Sequence, residues 1–460
     1  MCAIVGITGG SPEDLLNWTV EASARLNHRG HEAVGISAVG VSRMHYFHEV
    51  GFVRDACVIK KERFRQFAEA VLEDQAHTFI GHVRYSTVGP SDLGNSHPLV
   101  LQSVGFGELA FVHNGQLANH EQYRADLQGK GFVFTTQSDS EVLLGLIATS
   151  PDKMLSGAVM RTIRNVPGAY SILVMNQHLL VAARDRHGIR PLLWGKNGNR
   201  VAFASESAAL EGFGSVSEIP AGSMVVVPYG QRPVLGATVK SKHHPCIFED
   251  IYFARPDQFM GDSVTSEFRY DCGIRLATCR PVEADFVCGV PDSGNDAALG
   301  FSVGSGIRYL PRMLMKNWYS VRGRSFILPG SESREESARR KNSATPRLVR
   351  GKRVVIVDDS LVRATTAPVI VQKLRSAGAS EVHLRIASPP VKYPCMYGID
   401  MPTLQELPAS HKSLEELRII CGADSLAYLP LEEMKAAAAK FIPSWCDACF
   451  SGGYPIPIVP

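Results

Sequence analysis

Val354-Val-Ile-Val-Asp358-Asp359-Ser360-Leu-Val-Arg363-Ala364-Thr365-Thr366 reads as a buried strand, an acidic pair at its carboxyl end and a hydroxyl-rich turn. A helix follows, with Pro368 in its first turn, Ile370 and Leu374 four apart on one face, and Gly378 as a stop before a strand from Val382 to Ile386. Such a strand–turn–helix–strand unit belongs to a mostly parallel α/β sheet. It leaves the backbone N–H groups of Ser360 to Thr366 at a helix N-terminus, where an anion is stabilised. Two adjacent carboxylates repel a phosphate but suit the vicinal hydroxyls of a sugar, or Mg²⁺. A phosphorylated ribose offers partners for both.

Upstream, Val287-Cys-Gly-Val-Pro-Asp292-Ser293-Gly294-Asn295 is a second short strand ending in a tight polar turn, and a basic tract with Lys316 and Arg324 lies between the two turns. These stretches resemble the type I phosphoribosyltransferases. The resemblance implies that Asp358 and Asp359 hold the ribose hydroxyls of phosphoribosyl pyrophosphate (PRPP), and that Ser360, Thr365 and Thr366 belong to the turn around its 5′-phosphate. It further implies that Ser293 joins the acid pair about Mg²⁺ in the pyrophosphate loop, and that Lys316 and Arg324 belong to a closing flap. The flap after Lys316 is two residues longer than is usual, and Ala364 stands where the family has glycine. A positive φ at Ala364, or a phosphate packed on its Cα, would weaken PRPP binding roughly tenfold.

The N-terminal half opens Met1-Cys2-Ala3-Ile-Val-Gly6-Ile. Once Met1 is trimmed, Cys2 carries a thiol and an α-amine, and the amine can act as base for the thiol. Downstream stand His28-Arg29-Gly30-His31-Glu32, Gly81-His82-Val83-Arg84, His113-Asn114-Gly115 and Ser138-Asp139-Ser140-Glu141. Together they supply a nucleophile, a guanidinium for a carboxylate, a carboxylate for an ammonium, and donors for an oxyanion, which is what hydrolysis of glutamine requires.

This half resembles the N-terminal-nucleophile (Ntn) glutamine amidotransferases, and the whole chain resembles the amidophosphoribosyltransferase family. The resemblance implies Cys2 as nucleophile, Asn114 and Gly115 as the oxyanion hole, and Arg84 and Asp139, with Arg29, as the glutamine-binding set. Arg184-Asp-Arg-His-Gly-Ile-Arg-Pro191 and Phe203-Ala-Ser-Glu-Ser207 are also similar to the family. Ala3, His31 and His97 depart from its usual Gly, Gln and Gln, without removing a catalytic group.

The Cys-x-x-Cys pair Cys446-Asp-Ala-Cys449 lets two thiolates reach one metal centre, and Cys246 and Cys395 can complete four ligands for iron–sulfur or zinc. Here the chain resembles the iron–sulfur branch of the family, which implies a [4Fe–4S] cluster at these four residues. The other five cysteines carry no motif.

The 460 residues, 45% hydrophobic and 20% charged, suit a globular protein with ample core. A net charge of +3 gives no basis for nucleic-acid binding. No apolar run reaches the roughly 18 residues that a membrane span needs. Ten cysteines in so long a chain are not a disulfide scaffold, and with no secretion signal at the N-terminus the expected compartment is the cytoplasm. The Pro-, Gly- and charge-rich tract from Pro228 to Pro245 marks the boundary between a domain over residues 2–235 and one over 246–460.

The expected architecture is α/β and α+β: a four-layer αββα sandwich of the Ntn hydrolase kind, then a mostly parallel α/β phosphoribosyltransferase fold. The expected function transfers glutamine's amide nitrogen to PRPP in a homodimer or homotetramer open to nucleotide feedback inhibitors. The alternatives are a paralogue acting on another phosphoribosyl donor or acceptor, and a non-catalytic nucleotide-binding regulator.

Overall fold

The structure, a computed structural model, describes residues 1–58, 61–85, 93–236, 238–317, 342–401 and 403–457. The chain forms two compact units. The first is Met1–Pro245 with two short downstream pieces, Met396–Asp400 and Tyr454–Pro460; the second is Cys246–Cys395 with Met401–Gly453. A single cut near residue 240 does not capture those two returns, because composition along the chain carries no sign of which distant segments pack together.

The first unit is built on two antiparallel sheets. Seven strands follow the order 215–218, 193–197, 200–204, 3–8, 78–84, 33–39 and 44–50, and six follow the order 234–235, 224–228, 179–184, 168–175, 107–117 and 99–103. Alternation along the strands sorts side chains into three cores. Ala3, Val5 and Ile7 face the helices Pro12–Arg25 and Glu62–Glu73, meeting Leu15, Leu16, Phe64 and Phe67. Ile4 points the other way, into a core between the sheets with Val112, Leu173 and Ala182. Tyr170, Ile172 and Val174 face the helices Asp139–Ala148 and Leu155–Asn165 in a third. Three cores between four layers make this the αββα sandwich. Its first helix starts where Ser11 accepts the Asp14 N–H at 3.2 Å and Pro12 occupies the first turn, a cap worth about 1 kcal/mol.

The second unit carries a four-stranded sheet, 286–289, 353–358, 381–386 and 425–428, parallel throughout. Its strand Arg353–Asp358 lies between two neighbours, pairing Val355 with Val287 and Val354 with Val382. A strand covered on both faces needs an unbroken apolar run, which is why four β-branched residues stand in a row here. Val354 and Ile356 pack with Ile370 and Leu374 of the helix Thr366–Ser376. Adjacent parallel strands end on the same side, so Val290–Ser293 and Asp358–Ser360 meet at the carboxyl edge, where α/β sheets bind ligands. Among the described residues no helix is long and apolar enough to cross a membrane.

Candidate functional site

In the first unit, the Cys2 Sγ lies against the Tyr85 backbone, 3.4 Å from its carbonyl oxygen and 3.5 Å from its amide nitrogen. Burial pushes the Cys2 thiol up, and the amine of Met1, the Tyr85 backbone and Arg84 pull it part of the way back. A thiol held up in this way needs a base to react at neutral pH. Arg29, expected among the glutamine-binding residues, is instead fully buried beneath the nucleophile. It donates to the Cys2 carbonyl at 3.2 Å and to Glu206 at 2.5 Å, while His28 meets the same carboxylate at 2.8 Å. Burial alone would raise Glu206, but His28 and Arg29 hold its carboxyl well below the usual range. Removing one partner of such a buried pair costs about 3–5 kcal/mol, so Arg29 is firmly held next to the Cys2 backbone.

Arg84 is also buried, at the end of the strand Thr78–Arg84. Burial lowers His82 to about 3, and lowers His97 and His113 as well. Neutral imidazoles spare Arg84 the repulsion that charged ones would add. Asn114 has no exposed surface, yet among the described residues neither its Oδ1 nor its Nδ2 has a partner. An amide left unsatisfied in a core is costly, and a catalytic role is one reason for keeping it. Asp139 opens the helix Asp139–Ala148, and its Oδ2 accepts the Leu117 N–H at 2.8 Å. That bond ties the acid to the strand Gly107–Leu117, which carries Asn114 and Gly115.

In the second unit, Ser293, Asp358, Asp359, Ser360, Thr365 and Thr366 line one cleft, closed on one side by Phe248 and Tyr252. Ser293 donates to Asp359, and Ser360 does so at 2.6 Å. Lys316 pairs with Asp292, beside Ser293, rather than lining the cleft. Arg324 and most of the flap lie outside the described residues. Sequence reading missed two features here. Arg363 lines the cleft and is fixed by Glu406, with Nε 2.7 Å from its carboxylate. Phe248 and Tyr252 precede the phosphate turn by more than a hundred residues, and no local pattern marks them.

Ala364 adopts φ +53°, the left-handed region, and its methyl packs against the core of this unit. The cost to alanine there, roughly 1–2 kcal/mol, is already present without ligand and therefore falls first on folding. Ala364→Gly is expected to raise stability by ~1 kcal/mol in a urea titration and to leave PRPP affinity within about twofold. A tenfold tightening would instead place the methyl against the phosphate.

Cys246 and Cys446 form a parallel backbone bridge, and the N–H groups of Lys392 and Tyr393 donate to the Cys449 carbonyl at 2.9 and 3.0 Å. Burial raises the Cys449 thiol well above its ordinary value, and Cys246, Cys395 and Cys446 raise it further. The four cysteines are therefore neighbours. Among the described residues, no three His, Cys, Asp or Glu side chains are gathered tightly enough to hold a single metal ion.

Residues 65–229 match the glutamine amidotransferase domain family. The chain is 40% identical to the chloroplastic amidophosphoribosyltransferase of Vigna aconitifolia, over 99% of this chain and 91% of that one. It is 38% identical to the amidophosphoribosyltransferase of Methanocaldococcus jannaschii, over 99% and 98%. The solved glutamine PRPP amidotransferase of B. subtilis, complexed with ADP and GMP, superposes with a TM-score of 0.87 at 36% identity, covering 100% of this chain and 98% of its own. Likeness of this extent, over both halves of the chain, makes it a member of the amidophosphoribosyltransferase family.

Proposed function

We infer that this protein makes 5-phosphoribosylamine, glutamate and pyrophosphate from PRPP, glutamine and water, the first step of purine synthesis. The observation that carries the reading is likeness to amidophosphoribosyltransferases over 99% of the chain. In the first half-reaction the Cys2 thiol, its proton taken by the α-amine, attacks the glutamine amide carbon. Asn114 Nδ2 and the Gly115 N–H receive the developing oxyanion, which the unsatisfied Asn114 amide favours. Arg84 takes the α-carboxylate and Asp139 the α-ammonium. The C–N bond then breaks and ammonia leaves with the proton returned by the α-ammonium, and water hydrolyses the resulting thioester to glutamate and the free thiol.

In the second half-reaction ammonia displaces pyrophosphate at the ribose. Asp358 and Asp359 orient the ribose hydroxyls, and Ser360, Thr365 and Thr366 seat the 5′-phosphate. Lys316 and Arg324 act from the flap. The cationic sugar must be shielded from water until ammonia arrives. Ser293, Asp358 and Asp359 bring oxygen donors to one edge of the cleft, a set that suits Mg²⁺, which would neutralise the leaving pyrophosphate.

We assign the chain to the iron–sulfur branch, with Cys246, Cys395, Cys446 and Cys449 around a [4Fe–4S] cluster. The mutual influence of the four cysteines, two of them in a Cys-x-x-Cys pair, supports a shared metal centre. Purine nucleotides as feedback ligands, a homodimer or homotetramer, and a cytoplasmic setting complete the proposal. Mass spectrometry of the product formed from PRPP and glutamine tests it, with a 5-phosphoribosylamine mass expected. Glutamate released with no aminated sugar would reject it.

A further inference from the structure

The two oxyanion residues are the ends of a closed ring of contacts that runs through a segment nearly three hundred residues downstream. Asn114 stands opposite Ser171 in the sheet, and the Ser171 hydroxyl donates to the Arg190 carbonyl at 3.0 Å. The Arg190 side chain, fully buried, donates through Nε to the Tyr397 carbonyl at 2.8 Å and through Nη2 to the same oxygen. The Tyr397 hydroxyl is locked in turn, donating to the Ile456 carbonyl at 2.8 Å. The next residue, Gly398, closes the ring on Gly115: a Cβ there would meet the Gly115 carbonyl carbon at 3.1 Å, and its φ of +101° already favours glycine. On its other face Gly115 has no slack, since a Cβ would lie 1.9 Å from the Ala169 carbonyl oxygen.

We propose that Arg190, Tyr397 and Gly398 are positioning residues that press Gly115 into the place where it and Asn114 can receive the oxyanion. The inference rests on the glutaminase reading above. A buried arginine commonly does no more than hold a fold together. Here, however, its side chain ends on a carbonyl one residue from the backbone that abuts Gly115. A small shift of that wall would misplace a donor without removing any group that binds glutamine.

The test uses the full-length holoenzyme with Gly398→Ala, Arg190→Met and Arg190→Lys. Glutaminase is measured with PRPP present, alongside synthesis from ammonia. A third measurement is affinity for glutamate γ-semialdehyde, whose carbonyl carbon bonds to the Cys2 sulfur while the thiol proton passes to its oxygen. Gly398→Ala and Arg190→Met should lower kcat about 10- to 100-fold with KM for glutamine within about threefold. They should weaken the semialdehyde more than glutamate, whose γ-carboxylate forms no tetrahedral adduct with Cys2 and develops no oxyanion there, and Arg190→Lys should recover part of the loss. Unchanged kcat and semialdehyde affinity in Gly398→Ala would overturn the proposal, as would parallel losses in glutaminase and ammonia-dependent synthesis. A wild-type protein that hydrolyses no glutamine would overturn the glutaminase reading itself.

Discussion

Cys2→Ala is expected to reduce glutamine-dependent turnover by ~10⁴-fold or more, while turnover with ammonia continues. Only the first half-reaction needs the thiol, and no other group among the proposed glutamine-binding residues can form the covalent intermediate. Its surroundings are already committed: Arg29 is held by Glu206 and the Cys2 carbonyl, and Asp139 by the Leu117 N–H. Alanine keeps the backbone carbonyl on which Arg29 rests, so the fold should survive and the loss should be chemical. Retention of Met1 should act like the mutation, because the base would become an amide nitrogen. Glutamate release and ammonia-dependent synthesis, measured on one preparation, check the result. Glutaminase activity surviving in Cys2→Ala would remove the nucleophile assignment.

Cys449→Ser should have its large effect on folding. The protein purified without oxygen is expected to be brown, absorb broadly near 400 nm and carry about four irons per chain. The variant should lose the colour and most of the soluble yield. Cys246, Cys395 and the 446–449 pair come from three separate stretches, and a metal core joining such stretches contributes folding free energy directly. The environment of Cys449 is one that the proposed core would relieve. Burial and three neighbouring sulfurs all oppose its ionisation, so four thiolates would repel one another without iron between them. Iron and sulfide analysis, with soluble yield, measures both effects. Colourless wild-type protein containing zinc would dismiss the cluster.

Where a pattern is local, the sequence carries it. The Val354–Thr366 stretch shows strand, acids and helix start within thirteen residues, and the structure places the strand at 353–358 and the helix at 366–376. Whatever depends on distant contacts stayed hidden. The resemblance placed Arg29 in the glutamine-binding set, and nothing local in the sequence points to its ion pair with Glu206, far along the chain. Arg190 stood in a stretch similar to the family, but nothing local ties it to Tyr397. Gly398 offered a faint signal, a glycine in the stretch Met396-Tyr-Gly-Ile-Asp400 with no proline or charge run to explain a turn.

The return of Met396–Asp400 to the first unit also bears on how the protein is made. A ribosome adding about 5–20 residues each second needs roughly 8–30 s to travel from Pro245 to Tyr397. Through that interval the nascent first unit holds its cysteine, its sheets and its helices but lacks the segment that backs Gly115. The backing of Gly115 is thus completed only after translation has passed the Val354–Thr366 stretch, so the first unit cannot reach its finished form ahead of the second.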